Sequence, residues 1–165
     1  MERTWCKQSV PAQLLIKGGR VVDPEAGLDD AMDVLVRDGT IVEVGTGLSA
    51  AGDARVVDAG GMLVLPGFVD LHAHLRTPGH EEAEDLVSGT QAAAAGGYVA
   101  LFAMANTTPA IDDAMLFRGL VERAGCEAVV PLGFFAAVTK DLAGEQLTEM
   151  GEICLLYTSP SPRDL

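Results

Sequence analysis

Residues 67–76 (GFVDLHAHLR) have the most chemically specific spacing in the sequence. If they form a strand, the alternation of side chains places Asp70, His72 and His74 on one face. Two imidazoles two residues apart at a strand end can bind one metal ion, and imidazole is a preferred ligand of Zn²⁺. His72 and His74 are therefore candidate metal ligands, and Asp70 is a candidate for orienting one of them. Because a bare His-x-His pattern often occurs by chance, two ordinary polar residues remain the alternative.

Two further polar residues could bind an anionic substrate. Arg76 follows the histidine pair directly, and a guanidinium group binds a carboxylate through two parallel hydrogen bonds. Asn106 is expected at the end of the next strand, where its amide could add hydrogen bonds. Each residue also has a structural alternative. Arg76 could be an exposed loop residue paired with Glu81 or Glu82, and Asn106 could serve to form a turn at residues 106–109.

The pattern after residue 66 predicts the elements that would position these side chains. We expect strands at residues 67–74, 98–105 and 126–136, and helices at residues 81–95, about 112–125 and about 142–153. Strand and helix alternate at about 30 residues per unit, which is typical of right-handed βαβ units in a parallel sheet. The sequence therefore predicts an α/β fold with three βα units in residues 66–153.

Residues 14–65, which follow a short leader of residues 1–13, have a different pattern of short strands and turns. Asp38-Gly39 separates two alternating runs within residues 32–45 and suits the positive φ angles of a type I′ hairpin turn. Two more short strands are expected at residues 55–58 and 62–65. This segment is predicted to belong to a small domain of the β-sandwich type.

The composition of the 165 residues is that of a globular protein, with 48% hydrophobic and 21% charged residues. The formal net charge of −13 leaves no basic patch for nucleic acid or an anionic membrane. Three widely spaced cysteines, Cys6, Cys126 and Cys154, predict reduced thiols and a cytoplasmic location. No signal peptide or membrane span is expected, because the N-terminus lacks an apolar segment and the uncharged residues 92–111 are too polar.

Residues 154–165 (CLLYTSPSPRDL) do not continue the alternation of strands and helices. The Ser-Pro-Ser-Pro sequence at residues 159–162 can neither extend a helix nor form a central strand. We therefore expect this tail to be of foreign origin, like translated adaptor sequence.

The whole stretch of residues 66–113 resembles the N-terminal signature of class I dihydroorotases in the amidohydrolase superfamily, and the resemblance extends from about residue 14 to 153. The motifs are Asp-x-His-x-His, shared by the superfamily, and His-Leu-Arg-x-Pro-Gly, Ser-Gly-Thr-x-Ala-Ala-Ala-x-Gly-Gly and Met-x-Asn-Thr, which are typical of dihydroorotase. Two positions depart from the family pattern: Thr77 stands where Glu is common, and Ala105 where Pro is common.

The resemblance implies a zinc-dependent hydrolase that interconverts dihydroorotate and carbamoyl aspartate in pyrimidine biosynthesis, with two zinc ions in the full-length enzyme. His72 and His74 match zinc ligands, and His74, Arg76 and Asn106 match substrate-binding positions. No residue of this sequence matches the family's catalytic acid or base. Zinc would activate water for attack on the ring amide carbonyl.

The resemblance also implies a (β/α)₈ barrel, which takes about 250 residues. Because far fewer residues follow residue 66 here, we expect an N-terminal fragment that is inactive alone. In full-length form it could assemble as a homo-oligomer or with aspartate transcarbamoylase.

Two other functions stay open. One is an allantoinase or a hydantoinase, against which Arg76 and the Asn106-Thr107 pair count. The other is an inactive, dihydroorotase-like scaffold subunit of aspartate transcarbamoylase. Such relatives commonly lose metal ligands, so the intact His72 and His74 count against this function.

Overall fold

The computed structural model describes residues 12–157, and these divide into two compact units, one ending at Gly67 and one beginning at Phe68. We call residues 12–67 the β unit and residues 68–157 the α/β unit. Most of the predicted leader, with Cys6, and the part of the predicted tail from residue 158 onward lie outside the described residues.

The β unit is one mixed five-stranded sheet. Its strands are β1 (Gln13–Asp23), β2 (Leu28–Arg37), β3 (Thr40–Gly45), β4 (Arg55–Asp58) and β5 (Leu63–Val64). Strand β2 is antiparallel to both β1 and β3, whereas β4 and β5 run parallel to β1. Within residues 12–67, the predicted β-sandwich segment is therefore a single layer.

The predicted hairpin of the β unit is confirmed. Strands β2 and β3 are joined by Asp38 and Gly39, whose φ angles are 48° and 76°, as a type I′ turn requires. The buried carboxylate of Asp33 fixes two other segments, because it accepts backbone hydrogen bonds from Gly18 (2.8 Å) and Leu48 (2.9 Å). Asp33 thereby connects a β-bulge in β1 to the loop that follows β3.

The α/β unit confirms the predicted parallel sheet. Its regular elements are β6 (Phe68–Ala73), α1 (Leu86–Ala95), β7 (Tyr98–Ala103), α2 (Ala114–Glu127), β8 (Leu132–Phe134) and α3 (Met150–Tyr157). The three strands are parallel and adjacent in the order β6-β7-β8. Consecutive parallel strands place their carboxyl ends at one edge of the sheet, so the residues that follow β6 and β7 become neighbours.

Helix α1 begins five residues later than predicted because of its cap. The Asp85 side chain accepts from the Ser88 backbone N–H at 2.7 Å, and the Ser88 hydroxyl accepts from the Asp85 N–H at 2.9 Å. This reciprocal pair forms a capping box, which fixes the first turn of the helix. The acidic residues 81–84 therefore lie in turns before the helix.

The predicted helix at residues 142–153 is wrong in position. A short 3₁₀ helix (Lys140–Leu142) and a bridge between Thr139 and Leu147 precede α3. The backbone has positive φ at Asp141, Leu142 and Gly144, so no α-helix can pass through this segment. Helix α3 then continues past the predicted tail boundary at residue 153 to its end at Tyr157.

One apolar core joins the sheet of the α/β unit to its helices. It includes buried side chains from strands, helices and the loops after the strands, among them Leu75, Leu86, Leu101, Ala103, Ile111, Phe117, Leu120, Leu132, Phe134 and Ile153. Leu75 and Ile111 belong to the loops that follow β6 and β7, so burial of these two side chains anchors both loops. Within residues 12–157, no helix is long and apolar enough to cross a membrane.

Candidate functional site

The two histidines predicted as metal ligands lie side by side. Their ring centroids are 5.0 Å apart, with the planes inclined at 63°, and both side chains are exposed. His72 lies in β6 near the carboxyl end of the strand, and His74 is the first residue after β6. This arrangement leaves two imidazoles accessible at the same edge of the sheet.

Asn106 joins this pair from the neighbouring strand. Its side-chain Oδ1 lies 2.9 Å from His74 Nδ1, although the two residues are 32 positions apart in the sequence. Because an amide oxygen only accepts hydrogen bonds, His74 donates its Nδ1–H in this geometry. A neutral imidazole carries one proton, so the Nε2 lone pair of His74 is left for another ligand.

The loops after β6 and β7 are connected at several points. Thr108 donates its backbone N–H to the Pro78 carbonyl at 3.1 Å, and Met104 donates to the Ala73 carbonyl at 2.9 Å. Gly79 has a φ of 103°, and a Cβ added there would lie 1.9 Å from the Thr108 carbonyl oxygen. Only glycine therefore permits this close approach of the two loops.

Asp70 has a different role from the predicted one. Its Oδ1 accepts a hydrogen bond of 2.9 Å from the His72 backbone N–H. Asp70 therefore holds the backbone at the first histidine, and within residues 12–157 it forms no hydrogen bond to either imidazole.

Arg76 is exposed in the loop after β6. The alternative in which it pairs with nearby glutamates is not observed, because no ion pair to Arg76 is found within the described residues. Glu81 instead accepts from the Gly79 backbone N–H at 2.9 Å. Glu82 lies 3.5 Å from His80 Nδ1, and both side chains are exposed.

The turn that follows β7 does not depend on the Asn106 side chain. The Thr107 hydroxyl donates to the Pro109 carbonyl at 2.7 Å and closes this turn. The Asn106 side chain is exposed, and its amide oxygen faces His74. Turn formation therefore does not explain the asparagine, and its amide nitrogen is available to donate.

The donor set fits part of a zinc site. Imidazole nitrogen is a common zinc ligand, and catalytic zinc usually has three protein ligands. Among residues 12–157, no group of three or more His, Cys, Asp or Glu side chains is placed to hold a metal ion. The described residues thus offer an imidazole pair that could supply two ligands.

Sequence reasoning missed three contributions to this edge of the sheet. The pairing of Thr108 with Pro78 and the close approach at Gly79 involve positions that are distant in the chain, and no local pattern indicates them. The hydroxyl of Thr77 is buried without a hydrogen-bond partner, at the position where the resemblance showed a departure from the family. Only this departure could have drawn attention to Thr77 in advance.

Comparison of the sequence with known proteins finds relatives that share one family. The family model described as dihydro-orotase-like matches residues 61–156. The chain is 46% identical over 140 residues to a dihydroorotase of Geobacter sp. (strain M21), and 48% identical over 143 residues to one of Pelobacter propionicus. Each alignment covers 85% of this chain and 33% of the relative. The chain therefore spans about a third of the length of the curated relatives it matches.

The fold also resembles that of solved structures. A D-hydantoinase from Bacillus sp. AR9 superposes with a TM-score of 0.67 at 30% sequence identity, covering 88% of this chain and 31% of that one.

Proposed function

The chain belongs to the dihydro-orotase-like family, and from this premise we propose that it supplies two metal ligands and part of the substrate site of a dihydroorotase. The reaction is the reversible hydrolysis of dihydroorotate to carbamoyl aspartate. The observation that carries the proposal is the meeting of His72, His74 and Asn106 at one edge of a parallel sheet. The identity of 46% to a dihydroorotase supports the choice of substrate.

The proposed metal is Zn²⁺, bound by the imidazoles of His72 and His74 together with ligands from beyond the described residues. A bound zinc ion supplies Lewis-acid polarisation of the ring amide carbonyl and activation of water. The hydrogen bond from His74 Nδ1 to Asn106 is the kind of contact that orients a ligating imidazole.

Arg76 and Asn106 are proposed to bind the carboxylate of the substrate. Dihydroorotate and carbamoyl aspartate are anions, and the chain carries a formal net charge of −13. A local positive group is therefore needed at the site, and the exposed guanidinium of Arg76 has no ion pair among the described residues. The amide nitrogen of Asn106 would donate a further hydrogen bond to the same carboxylate, because its oxygen is used by His74.

We also propose that β6, β7 and β8 are strands of a (β/α)₈ barrel. The parallel order of these strands and the helices between them support this fold. The candidate residues lie at the carboxyl ends of β6 and β7, where barrel enzymes carry their active sites. Homo-oligomer formation and association with aspartate transcarbamoylase stay predictions from the resemblance, and a cytoplasmic location stays a prediction from the sparse cysteines.

A hydantoinase is the second candidate, and the solved D-hydantoinase structure favours it. The hydantoin ring itself has no carboxylate, so it would give Arg76 and the Asn106 amide nitrogen no obvious partner. A chimera tests the two candidates directly. In it, this chain replaces the aligned third of the Geobacter sp. dihydroorotase, and hydrolysis of dihydroorotate, hydantoin and dihydrouracil is compared.

We expect the chimera to hydrolyse dihydroorotate and to lose this activity in the His72→Ala and His74→Ala variants. His80→Ala is the matched control, since His80 is an exposed loop histidine that contacts Glu82 and Thr108, and it should retain activity. Preference for hydantoin or dihydrouracil would support the hydantoinase instead. Full activity in both histidine variants would contradict the proposed metal site.

A further inference from the structure

The Asn106 side chain has two chemically different ends, and the structure distinguishes them. Its oxygen lies 2.9 Å from His74 Nδ1, while its nitrogen carries two N–H donors. The residue sits in the exposed loop after β7, and the neighbouring turn is closed by Thr107 and not by Asn106. The Asn106 side chain therefore contacts the proposed metal ligand and does not close the turn of its own loop.

The contact determines which nitrogen of His74 can bind a metal. An imidazole in its neutral form has one N–H and one lone pair, and the amide oxygen of Asn106 favours the proton on Nδ1. The lone pair then resides on Nε2. A hydrogen bond of this type fixes both the tautomer and the ring orientation of a metal-ligating histidine, and its loss typically weakens metal binding by about 10- to 100-fold.

We infer that Asn106 is a positioning residue for His74 as well as a substrate contact, so that one amide links the metal ligand to the anion site. This inference rests on the proposed function. When an anion accepts a hydrogen bond from the amide nitrogen, the amide oxygen becomes a better acceptor for His74, because linked hydrogen bonds strengthen one another. Zinc and the anionic substrate should then each raise the affinity for the other by the same factor.

Two substitutions separate the two ends of the amide. Asn106→Ala removes both the oxygen and the nitrogen. Asn106→Asp keeps an oxygen that accepts from His74 Nδ1 but removes the donors and adds a negative charge. Gln91→Ala is the control, because it truncates another exposed amide of the same α/β unit, on helix α1.

The first measurement reads the tautomer of His74 in the metal-free 165-residue chain. Nitrogen-15 correlation spectra of the histidine rings are recorded at pH 8, well above the ordinary histidine pKa of about 6.5. The wild type, Asn106→Asp and Gln91→Ala should show the proton on Nδ1, whereas Asn106→Ala should shift toward Nε2. An Nε2–H tautomer in the wild type, or no change in Asn106→Ala, would overturn the inference.

The second measurement is binding of Zn²⁺ and of carbamoyl aspartate to the chimera described above. Asn106→Ala should lose about 10- to 100-fold in zinc affinity and should also bind carbamoyl aspartate weakly. Asn106→Asp should keep the zinc affinity and lose only the carbamoyl aspartate affinity. Equal zinc affinities in all variants, or equal losses in Asn106→Ala and Asn106→Asp, would overturn the positioning role.

Failure of the proposed function would look different. In that case the His72→Ala and His74→Ala variants would retain zinc binding, whatever the tautomer of His74. The ring spectra of His80, which contacts Glu82 and Thr108 but not the Asn106 side chain, report whether each variant keeps the wild-type arrangement of these loops. The tautomer measurement needs no metal, so it decides the positioning role even when zinc binds weakly.

Discussion

Arg76 is the residue whose charge contributes most directly to the proposed substrate site. Among the described residues it forms no ion pair, since Glu81 bonds to Gly79 and Glu82 lies beside His80. Its guanidinium group is therefore accessible to an anion. Hydrogen bonds between charged groups contribute about 1.5–3 kcal/mol, which corresponds to roughly a 10- to 100-fold change in binding.

We expect Arg76→Ala to raise the KM of the chimera for dihydroorotate by about 10- to 100-fold. Arg76→Lys should recover only part of this loss, because an ammonium group cannot form the two parallel bonds of a guanidinium. Steady-state kinetics at fixed ionic strength measures both effects. Arg118→Ala, which removes an exposed arginine from α2, is the control. A KM in Arg76→Ala equal to that of the control would exclude a substrate contact.

At the residue scale, the sequence predicted which side chains meet but not how they bond. Alternation along a strand was enough to place His72 beside His74, because it depends only on the period of two. The adjacency of β6 and β7 explains why Asn106 comes near them. The direction of the hydrogen bond and the backbone role of Asp70 depend on side-chain rotation, which no residue pattern encodes.

The proposed site lies on the loops after β6 and β7, and these loops approach each other closely at Gly79. A Cβ at Gly79 would overlap the Thr108 carbonyl, and φ at Gly79 is positive. We expect Gly79→Ala to destabilise the α/β unit by about 3 kcal/mol, the combined cost of the positive φ and the overlap. Urea unfolding and amide exchange at the Thr108 N–H would measure this effect.

Gly144→Ala is the matched control for the overlap. Gly144 also has a positive φ, of 77°, but a Cβ there would meet nothing within 4 Å. Its substitution should cost about 1–2 kcal/mol, the conformational part alone. Equal effects of the two substitutions, with unchanged protection of Thr108, would show that the loop contact is not maintained by Gly79.

The cap of α1 makes this helix sensitive to acid. Hydrogen bonds from Ser88 lower the pKa of Asp85 below its ordinary value. The backbone N–H of Ser88 has the larger effect and its side chain the smaller one. A carboxylate with a lowered folded-state pKa stabilises the folded state above its unfolded pKa of about 4, and this contribution is lost as the pH falls through the folded-state pKa. Stability conferred by Asp85 should therefore be present at pH 5 and disappear in more acidic solution.

We expect Asp85→Asn to keep a capping side chain while removing this part of the pH dependence. The melting temperatures of the wild type and Asp85→Asn are measured between pH 6 and pH 2.5 and subtracted at each pH. Because the other carboxylates are the same in both proteins, their titration drops out of this difference. The melting temperatures should converge toward the acidic end. A constant difference over the whole range would contradict the role of the Asp85 charge.

At the element scale, the order of strands and helices was predictable, whereas their ends were not. Strand and helix alternation identified β6, α1, β7, α2 and β8, because buried strands and amphipathic helices have different periods. The start of α1 was misplaced because the acidic run before it resembles a first turn, while the capping box at Asp85 and Ser88 determines the true start. The segment before α3 was misjudged because its positive φ angles at Asp141 and Leu142 occur in residues that rarely adopt them.

The whole molecule exposes apolar side chains that a stable α/β domain usually buries. Val69 and Leu71 on β6 are 52% and 63% exposed, and Val99 on β7 is 50% exposed. In the sheet order β6-β7-β8, both β6 and β8 are edge strands. In a closed barrel, neighbouring strands would pair with both edges of this sheet, and further elements would cover part of its surface. The exposed apolar side chains and the edge strands agree with the finding that the chain spans about a third of the length of its curated relatives.

The proposed site is also divided between this chain and residues beyond those described. Its imidazole pair offers two ligands, and no cluster of three or more His, Cys, Asp or Glu side chains occurs within residues 12–157. A catalytic zinc ion needs about three protein ligands, and barrel enzymes take their catalytic residues from the ends of several strands. Under the proposed function, β6, β7 and β8 would supply the anion site and part of the metal site, and the remaining ligands and the catalytic acid or base would come from elsewhere.

We therefore expect the purified 165-residue chain, with added zinc, to show no hydrolysis of dihydroorotate above the rate of zinc in buffer. The chimera, which adds the other two thirds of the Geobacter sp. dihydroorotase, should be active under the same conditions. Hydrolysis is followed by the loss of dihydroorotate, with His72→Ala in both proteins as the reference for metal-dependent turnover. Turnover by the chain alone that disappears in His72→Ala would contradict a divided site, because it would mean that the imidazole pair and nearby groups suffice for the reaction. Activity of the chimera alone would instead assign the other metal ligands and the proton-transferring group to the part of the relative outside the aligned third.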